Sequence, residues 1–410
     1  MIWKRENIKD LTELFTDGDW IETKNQSVDG IRLIQTGNIG FGKFKPKEDK
    51  KRFISPNTFE KLKCKEIYPG DILTSRLPDP VGRSCIIPDV GERMITGVDC
   101  SIIRLKPHVD KVFFCYYQMS NEYLNEVNSR VTGTTRSRIS RKNLGQIKVP
   151  IPPLREQKQI VETLDKAFEK IDKAIANIER NIENAEELFQ SKLNNLFLEE
   201  SDYKEVKIIE TCNDKSQIVG GPFGSNLKVK DYVDIGVPIL RLQNIGKGYF
   251  INKSIKYITQ NKAEELKYHS FKKGDIVLAK LGIPIGKTCI VPESFEYGIV
   301  VADVVRIRPN INLVNYSFLK NFLNSDSAVR QLSSEIRGST RPRVNISEVR
   351  NLKLRLPPID IQIEINHKIE KLNDLRTEQV NNYNRKLGSL LELKKSILDK
   401  AFKGELTSAA

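Results

Sequence analysis

The chain has 410 residues, a formal net charge of +14, and 39% hydrophobic and 8% aromatic residues. That length suits two to three domains with real cores, and the composition excludes a disordered polymer. The excess of base points to a polyanionic partner, nucleic acid before anionic membrane.

No apolar run approaches the roughly 18 residues that cross a bilayer, and the start Met1-Ile2-Trp3-Lys4-Arg5-Glu6 lacks a signal-peptide core, so a cytoplasmic protein without membrane contact is expected. The six cysteines, Cys64, Cys85, Cys100, Cys115, Cys212 and Cys289, form no CxxC and sit among apolar neighbours, which predicts buried free thiols. His108, His269 and His367 are too scattered for a metal cluster, and no metal site is expected.

Taken from the N-terminus, β-branched runs punctuated by Gly, Asp and Pro at 71–87 and 98–105 read as strands joined by turns. Residues 112–127 read as helical, and Phe113-Phe114, Tyr116-Tyr117, Met119 and Leu124 at that spacing read as core before base-stacking aromatics. From Pro152-Pro153-Leu154-Arg155-Glu156-Gln157 the chain runs without proline or glycine to residue 198, a helix of about 65 Å. Along it Val161, Leu164, Phe168, Ile171, Ile175, Ile178, Ile182, Ala185, Phe189 and Leu196 alternate steps of four and three, an a/d coiled-coil seam interrupted by Lys192.

The chain then repeats itself. Residues 70–88, beginning Gly70-Asp71-Ile72, align without a gap on 274–292, beginning Gly274-Asp275-Ile276, an offset of 274 − 70 = 204. Ile31-Arg32-Leu33-Ile34-Gln35-Thr36-Gly37-Asn38 answers Ile239-Leu240-Arg241-Leu242-Gln243-Asn244 with a small gap, and Trp3-Lys4 answers Tyr203-Lys204. Gly133-Thr134-Thr135-Arg136-Ser137-Arg138 matches Gly338-Ser339-Thr340-Arg341-Pro342-Arg343, and Pro152-Pro153 matches Pro357-Pro358. Strands are again expected at 275–291 and 299–307, helix at 313–332, and a second long seam through Ile369, Leu372, Val380, Tyr383, Leu387, Leu390, Ile397 and Ala401.

The fold class is therefore α+β: two similar mixed α/β domains at 1–150 and 201–355, separated by two long antiparallel coiled-coil helices at 151–200 and 356–410, with a pseudo-two-fold internal repeat. Paired heads on a basic protein suit a bipartite duplex target.

Catalytic motifs fail one by one. Gly282-Ile283-Pro284-Ile285-Gly286-Lys287-Thr288 looks like a phosphate loop, but Leu281 stands where the first glycine belongs, and the repeat makes it a strand-to-strand turn. No Asn-Pro-Pro-Tyr or Asp-Pro-Pro-Tyr methylase motif occurs, and no catalytic residue is assigned. Binding chemistry is better supplied. Thr135, Arg136 and Arg138, with Thr340, Arg341 and Arg343, are dense hydroxyl and guanidinium donors for phosphate or a guanine edge, or else solvated basic turns. Gln35, Thr36 and Asn38, matched by Gln243 and Asn244, are able to read adenine, or to form turns. Arg76 and Lys280 are candidate phosphate contacts or plain exposed charges, and Phe223 is a packing residue or a DNA probe.

With the repeat, the Pro-Pro helix starts, Gly221-Pro222-Phe223-Gly224-Ser225 and the Gly-Asp-Ile segments in view, nearly the whole chain resembles the specificity subunit of type I restriction-modification systems. The resemblance implies two target-recognition domains, each reading half of a split double-stranded DNA site, with Ser225 joining the DNA contacts. It implies helices that set the half-site spacing and bind two copies of an adenine-N6 methyltransferase subunit, with restriction (motor-nuclease) subunits joining. No cofactor is then bound by this chain, S-adenosylmethionine, ATP and magnesium belonging to partner subunits. The heads differ, Asp17-Gly18-Asp19-Trp20-Ile21 standing where the second has Gly220-Gly221-Pro222-Phe223-Gly224, so an asymmetric target is expected. Two other readings stay open: a self-sufficient nucleic-acid-modifying enzyme, and a basic coiled-coil scaffold that binds nucleic acid by charge alone.

Overall fold

The structure is a computed structural model that describes residues 3–133, 137–198, 203–222, 224–334 and 342–406. The chain divides into two compact units, one of residues 1–179 with 384–410 and the other of residues 180–383.

In the first unit the β-branched runs build two sheets. One is antiparallel, in the order Thr12–Asp17, Cys100–Leu105, Ile72–Ser75, Ser84–Ile86. The other runs Phe53–Ile54, Ile31–Ile34, Met94–Thr96, Glu66–Ile67, with Ile31–Ile34 and Met94–Thr96 parallel. Both faces of Ile72–Ser75 are buried, which is why that strand reads apolar without alternation. The second unit repeats the antiparallel sheet as Ile218–Gly220, Val304–Ile307, Ile276–Ala279, Thr288–Ile290. Its mixed sheet has a fifth strand: Tyr232–Val233, Lys256–Ile258, Val237–Leu240, Tyr297–Val300, Ser270–Lys272. The segment at 299–307 expected as one strand is thus the end of one and the whole of another. The glycine-rich stretch at 282–288 joins the paired strands Ile276–Ala279 and Thr288–Ile290, as the repeat predicts.

The Gly-Asp-Ile motif has a mechanical explanation. Gly70 and Gly274 take φ of +94° and +80°, a region that glycine enters without strain. The following aspartate turns inward: Asp71 accepts from Arg104 at 2.8 and 2.7 Å and from the Tyr68 N–H at 2.9 Å. Asp275 accepts from Arg308 at 2.7 and 2.5 Å and from the Lys272 N–H at 2.8 Å.

Two helical expectations need correction. Residues 112–127 form two helices, Lys111–Tyr117 and Asn121–Ser129, and residues 313–332 lie across Tyr316–Leu323 and Asp326–Ser334. The break comes where a serine caps the second helix: the Ser120 hydroxyl accepts from the Tyr123 N–H and the Ser325 hydroxyl from the Ala328 N–H. Phe113, Phe114 and Tyr117 are core, as their spacing predicts.

Each unit is closed where the chain enters and leaves it. Lys4–Asn7 pairs with Lys148–Ile151, and Glu205–Lys207 with Lys353–Arg355, immediately before the long helices Leu154–Leu198 and Ile359–Phe402. The glutamine in the first turn of each long helix is fully buried and ties the helix to its unit. Gln157 accepts from the Asp110 N–H (2.8 Å) and donates to the carbonyls of His108 (3.1 Å) and Pro152 (2.8 Å). Gln362 accepts from the Asn315 N–H (2.8 Å) and donates to those of Leu313 (2.9 Å) and Pro357 (2.8 Å).

The helix seams differ in detail from expectation. In the first unit Ile160, Leu164, Phe168 and Ile171 are buried with Phe113, Phe114, Leu398, Ala401 and Phe402, so Ile160 carries the first contact and Val161 is only partly covered. In the second unit Leu193 enters the core with Ile365 and Ile369 while Lys192 stays exposed; the seam passes Lys192 by two successive steps of four, 189 to 193 to 197, and is not interrupted. There Leu196 and Phe197 lie beside Ile365 and Glu186 meets Arg376, so within that unit the two helix segments run antiparallel.

The gaps in the terminal seam are filled by cations. Lys394, between Leu390 and Ile397, reaches Asp172 at 2.6 Å and lies 4.7 Å from the Phe168 ring centre. Arg376, between Leu372 and Val380, reaches Glu186 at 2.9 Å and lies 4.8 Å from that of Phe189. Their aliphatic stems cover apolar surface while the charge meets an acid and a ring face. All six cysteines are free and buried, and burial pushes the thiols of Cys85, Cys100 and Cys289 up to about 12. Among the described residues, no helix is long and apolar enough to cross a membrane.

Candidate nucleic-acid interface

The two units assemble matching clusters from residues far apart in sequence. In the first, the Arg76 N–H donates to the Asp99 carbonyl (2.9 Å), the Ile139 N–H returns to the Arg76 carbonyl (3.2 Å), and the Arg138 guanidinium pairs with the Asp99 carboxylate at 3.2 Å. In the second, the Lys280 N–H donates to the Asp303 carbonyl (3.0 Å), the Val344 N–H returns to the Lys280 carbonyl (3.0 Å), and Arg343 pairs with Asp303 at 2.7 Å. The basic segment before each long helix is thereby laced onto the end of the Gly-Asp-Ile strand. Each unit thus brings together residues that the sequence keeps apart, Arg76 with Arg138 and Lys280 with Arg343.

Within these clusters the cations are unequal. Arg343 is half exposed and Arg138 nearly so. Arg76 is only 5% exposed; it donates to the Val98 carbonyl at 2.6 Å and lies 3.4 Å from Asp17, and burial lowers its pKa. Its guanidinium supports the fold from inside, which corrects its reading as a phosphate contact. Lys280 is half-buried, and burial, opposed by Asp303, lowers its pKa as well.

The asparagines are also corrected. Asn38 accepts from the Gln35 N–H at 3.0 Å and donates to the Lys45 carbonyl at 2.9 Å. Asn244 accepts from the Arg241 N–H at 3.1 Å and donates to the carbonyls of Ile251 (3.1 Å) and Lys253 (3.0 Å). Both amides are buried and hold the turn that follows the strand, so they shape the loop from within and present no edge to a base. Of their neighbours, Gln35 and Thr36 are half-buried and Gln243 is exposed. Ser225 is exposed, its hydroxyl 3.2 Å from the Asn226 side-chain oxygen. Thr135, Arg136, Phe223, Thr340 and Arg341 lie outside the described residues.

Gln35 and Thr36 open into a cleft of about 340 Å³ whose walls include Asp19, Trp20, Gly97, Val98 and Asp99. Sequence reasoning passed over Trp20 except as a difference between the heads, and passed over Asp99 and Asp303 altogether; the 204-residue offset relates the two acids and was the available signal. Among the described residues, no group of His, Cys, Asp and Glu could hold a metal ion.

A family model described as the type I restriction modification DNA specificity domain matches residues 2–184 and again residues 201–387. The chain is 27% identical over 335 residues to the type I restriction enzyme EcoBI specificity subunit of Escherichia coli, covering 75% of this chain and 68% of that one. It is 24% identical over 397 residues to the EcoKI specificity subunit of Escherichia coli strain K12, covering 93% and 83%. A solved chain from work on complex assembly and conformational transition of the type I R-M system covers 98% of both chains with a TM-score of 0.73 at 17% identity. The HsdS subunit of Thermoanaerobacter tengcongensis covers 98% of this chain and 97% of its own with a TM-score of 0.52 at 16% identity, and these two structures show the shared fold. Matched twice along nearly its whole length, the chain belongs to the type I restriction modification DNA specificity domain family.

Proposed function

We propose that this chain is the non-catalytic DNA-recognition subunit of a type I restriction-modification enzyme, each unit reading one half of a bipartite, asymmetric double-stranded site. The observation that carries the reading is the duplicated cluster: in both units an arginine about half exposed, Arg138 or Arg343, is held by an acid beside the strand end. Two equivalent, outward-facing basic sites on a protein of charge +14 suit two stretches of one duplex.

Phosphates fall to Arg138, Arg343 and Lys280 with Thr135, Arg136, Thr340 and Arg341, and base edges to Gln35, Thr36, Gln243 and Ser225. The long helices carry two copies of an adenine-N6 methyltransferase subunit, and restriction subunits join that assembly in the cytoplasm. S-adenosylmethionine, ATP and magnesium act on those partners. The domain limits follow the closing strand pairs: recognition domains at 1–150 and 201–355, helices at 151–200 and 356–410.

The test is to express the chain with its methyltransferase subunit and map every modified adenine in the host genome. A split motif of two fixed halves separated by an unread gap is expected. A continuous motif, or none from an assembled complex, contradicts the reading. S-adenosylmethionine binding by the purified chain alone favours a self-sufficient enzyme, and equal affinity of the complex for all sequences favours a scaffold.

A further inference from the structure

Trp20 is one of two tryptophans in the chain, and its side chain is 70% exposed. A ring of that size leaves a large apolar area outside any core. The backbone leading to it is nevertheless firmly built. A Cβ on Gly18 would lie 2.4 Å from the Thr96 oxygen and 2.5 Å from that of Gly97, so only glycine fits there. The Gly18 N–H donates to the Cys100 carbonyl and the Asp19 N–H to the Thr96 carbonyl, both at 2.9 Å. The Asp19 carboxylate accepts from the Lys65 N–H at 2.8 Å. Against this fixed backbone the indole has one weak polar contact, its N–H 3.4 Å from a Glu22 oxygen.

The second unit carries the same construction up to the aromatic. A Cβ on Gly221 would lie 2.0 Å from the Val301 carbonyl carbon, and the Gly221 N–H donates to the Val304 carbonyl at 3.1 Å. Two residues further, where the first unit has Trp20, the sequence has Phe223. Two unequal heads thus share an irreplaceable glycine and, two positions on, an aromatic.

The surroundings of Trp20 decide what it meets. The cleft it rims is lined by Asp19, Asp99, Gln35 and Thr36, with Asp99 holding Arg138 at 3.2 Å. Arg138, held by Asp99, answers the phosphates, while Asp19, the Gln35 amide oxygen and the Thr36 hydroxyl are acceptors that suit the exocyclic amino groups of cytosine and adenine. A ring beside them faces base, not backbone.

We propose that Trp20 is a wedge: its ring packs against a base of the half-site read by the first unit, loosening that base step, while the cleft takes the amino edge. This rests on the recognition reading above. Wedge residues trade unstacking for contact, so their loss is felt least where the step is already loosened.

The test uses the complex of the full chain with its methyltransferase subunit on duplexes carrying the mapped site. Trp20→Ala should weaken binding to that site by about 5- to 100-fold, leave the salt slope unchanged because no phosphate contact is lost, and recover in part when a mismatch is placed at the contacted step. Trp20→Phe should keep most of the affinity. Independently of any variant, 5-iodouracil placed through the first half-site of the wild-type complex should photocross-link to the peptide bearing Trp20. Wild-type affinity in Trp20→Ala, a loss with a reduced salt slope on all sequences, or cross-links that never reach that peptide overturn the wedge while leaving the recognition reading intact. A wild-type complex with no site preference overturns that reading and the wedge with it.

Discussion

Asp71 and Asp275 hold the same position in the two units and do the same thing, each gripping an arginine with both oxygens and taking an N–H from three residues upstream. Gly18-Asp19-Trp20 and Gly221-Pro222-Phe223 hold equivalent positions as well, yet only the glycine is identical, the aromatic changing in kind and Asp19 giving way to Pro222. The same contrast recurs elsewhere. Gln157 and Gln362 repeat bond for bond, and Asn38 and Asn244 each accept from an N–H three residues upstream and donate to a carbonyl seven residues on, while the mixed sheet gains a fifth strand. Residues that satisfy buried backbone are retained between the units, because an orphaned buried group costs more than the bond itself contributes. Residues at the rim are free to diverge, and they give the two units different surfaces.

The contrast sharpens most under substitution of the shared framework. Asp275→Ala leaves Arg308 without its two-pronged partner and should destabilise the second unit by about 3 kcal/mol, and Asp71→Ala should do the same to the first. Hydrogen exchange by mass spectrometry should find the loss of protection in the unit that bears the substitution. A uniform loss in both units would contradict two separately built cores.

Next come the glutamine anchors. Gln157→Leu and Gln362→Leu each strand three backbone groups, for a cost of about 2 kcal/mol in thermal or denaturant unfolding. Because the bond sets coincide, the two costs should agree; an anchor whose loss has no effect would mean that water replaces it.

The cationic seam residues should matter less. Arg376→Met and Lys394→Met remove pairs with half-exposed acids, so each should change stability by less than about 1 kcal/mol. A several-fold larger loss would make these residues the determinants of helix pairing.

The smallest effect on the fold is expected at the rim. Arg138→Ala and Arg343→Ala should leave stability near wild type, weaken binding of the assembled complex to all DNA sequences alike, and reduce the salt slope by about 0.9 each. Relaxed preference at a single base pair would instead assign that arginine to a base edge.

Legibility from sequence followed the same division. The repeat exposed the Gly-Asp-Ile strands, both long helices and the true nature of the 282–288 turn, because these are local patterns written twice. It aligned Arg76 with Lys280 and Arg138 with Arg343, and within the first unit Arg76 lies beside Arg138 as Lys280 lies beside Arg343 within the second. It could not say that Arg76 turns inward toward Val98 and Asp17, or that Asn38 and Asn244 spend their amides on a returning loop, because the burial of a polar side chain depends on partners distant in sequence. The glutamines of the two Pro-Pro helix starts stood at the same place in both copies, and that coincidence was the available clue. A strict three-four alternation misses the seam at Lys192, where the helix takes two steps of four, and at positions 376 and 394, where long cations cover apolar surface with their stems.

The central claim is that each unit reads its own half of one site. Its most direct measurement is the modified-adenine map of a chimera in which residues 4–151, bounded by the strands Lys4–Asn7 and Lys148–Ile151 that close the first unit on itself, are replaced by those of another family member. The account predicts a motif in which one half-site is new and the other half-site is unchanged. A chimera that assembles with its methyltransferase and alters both halves, or neither, would contradict it.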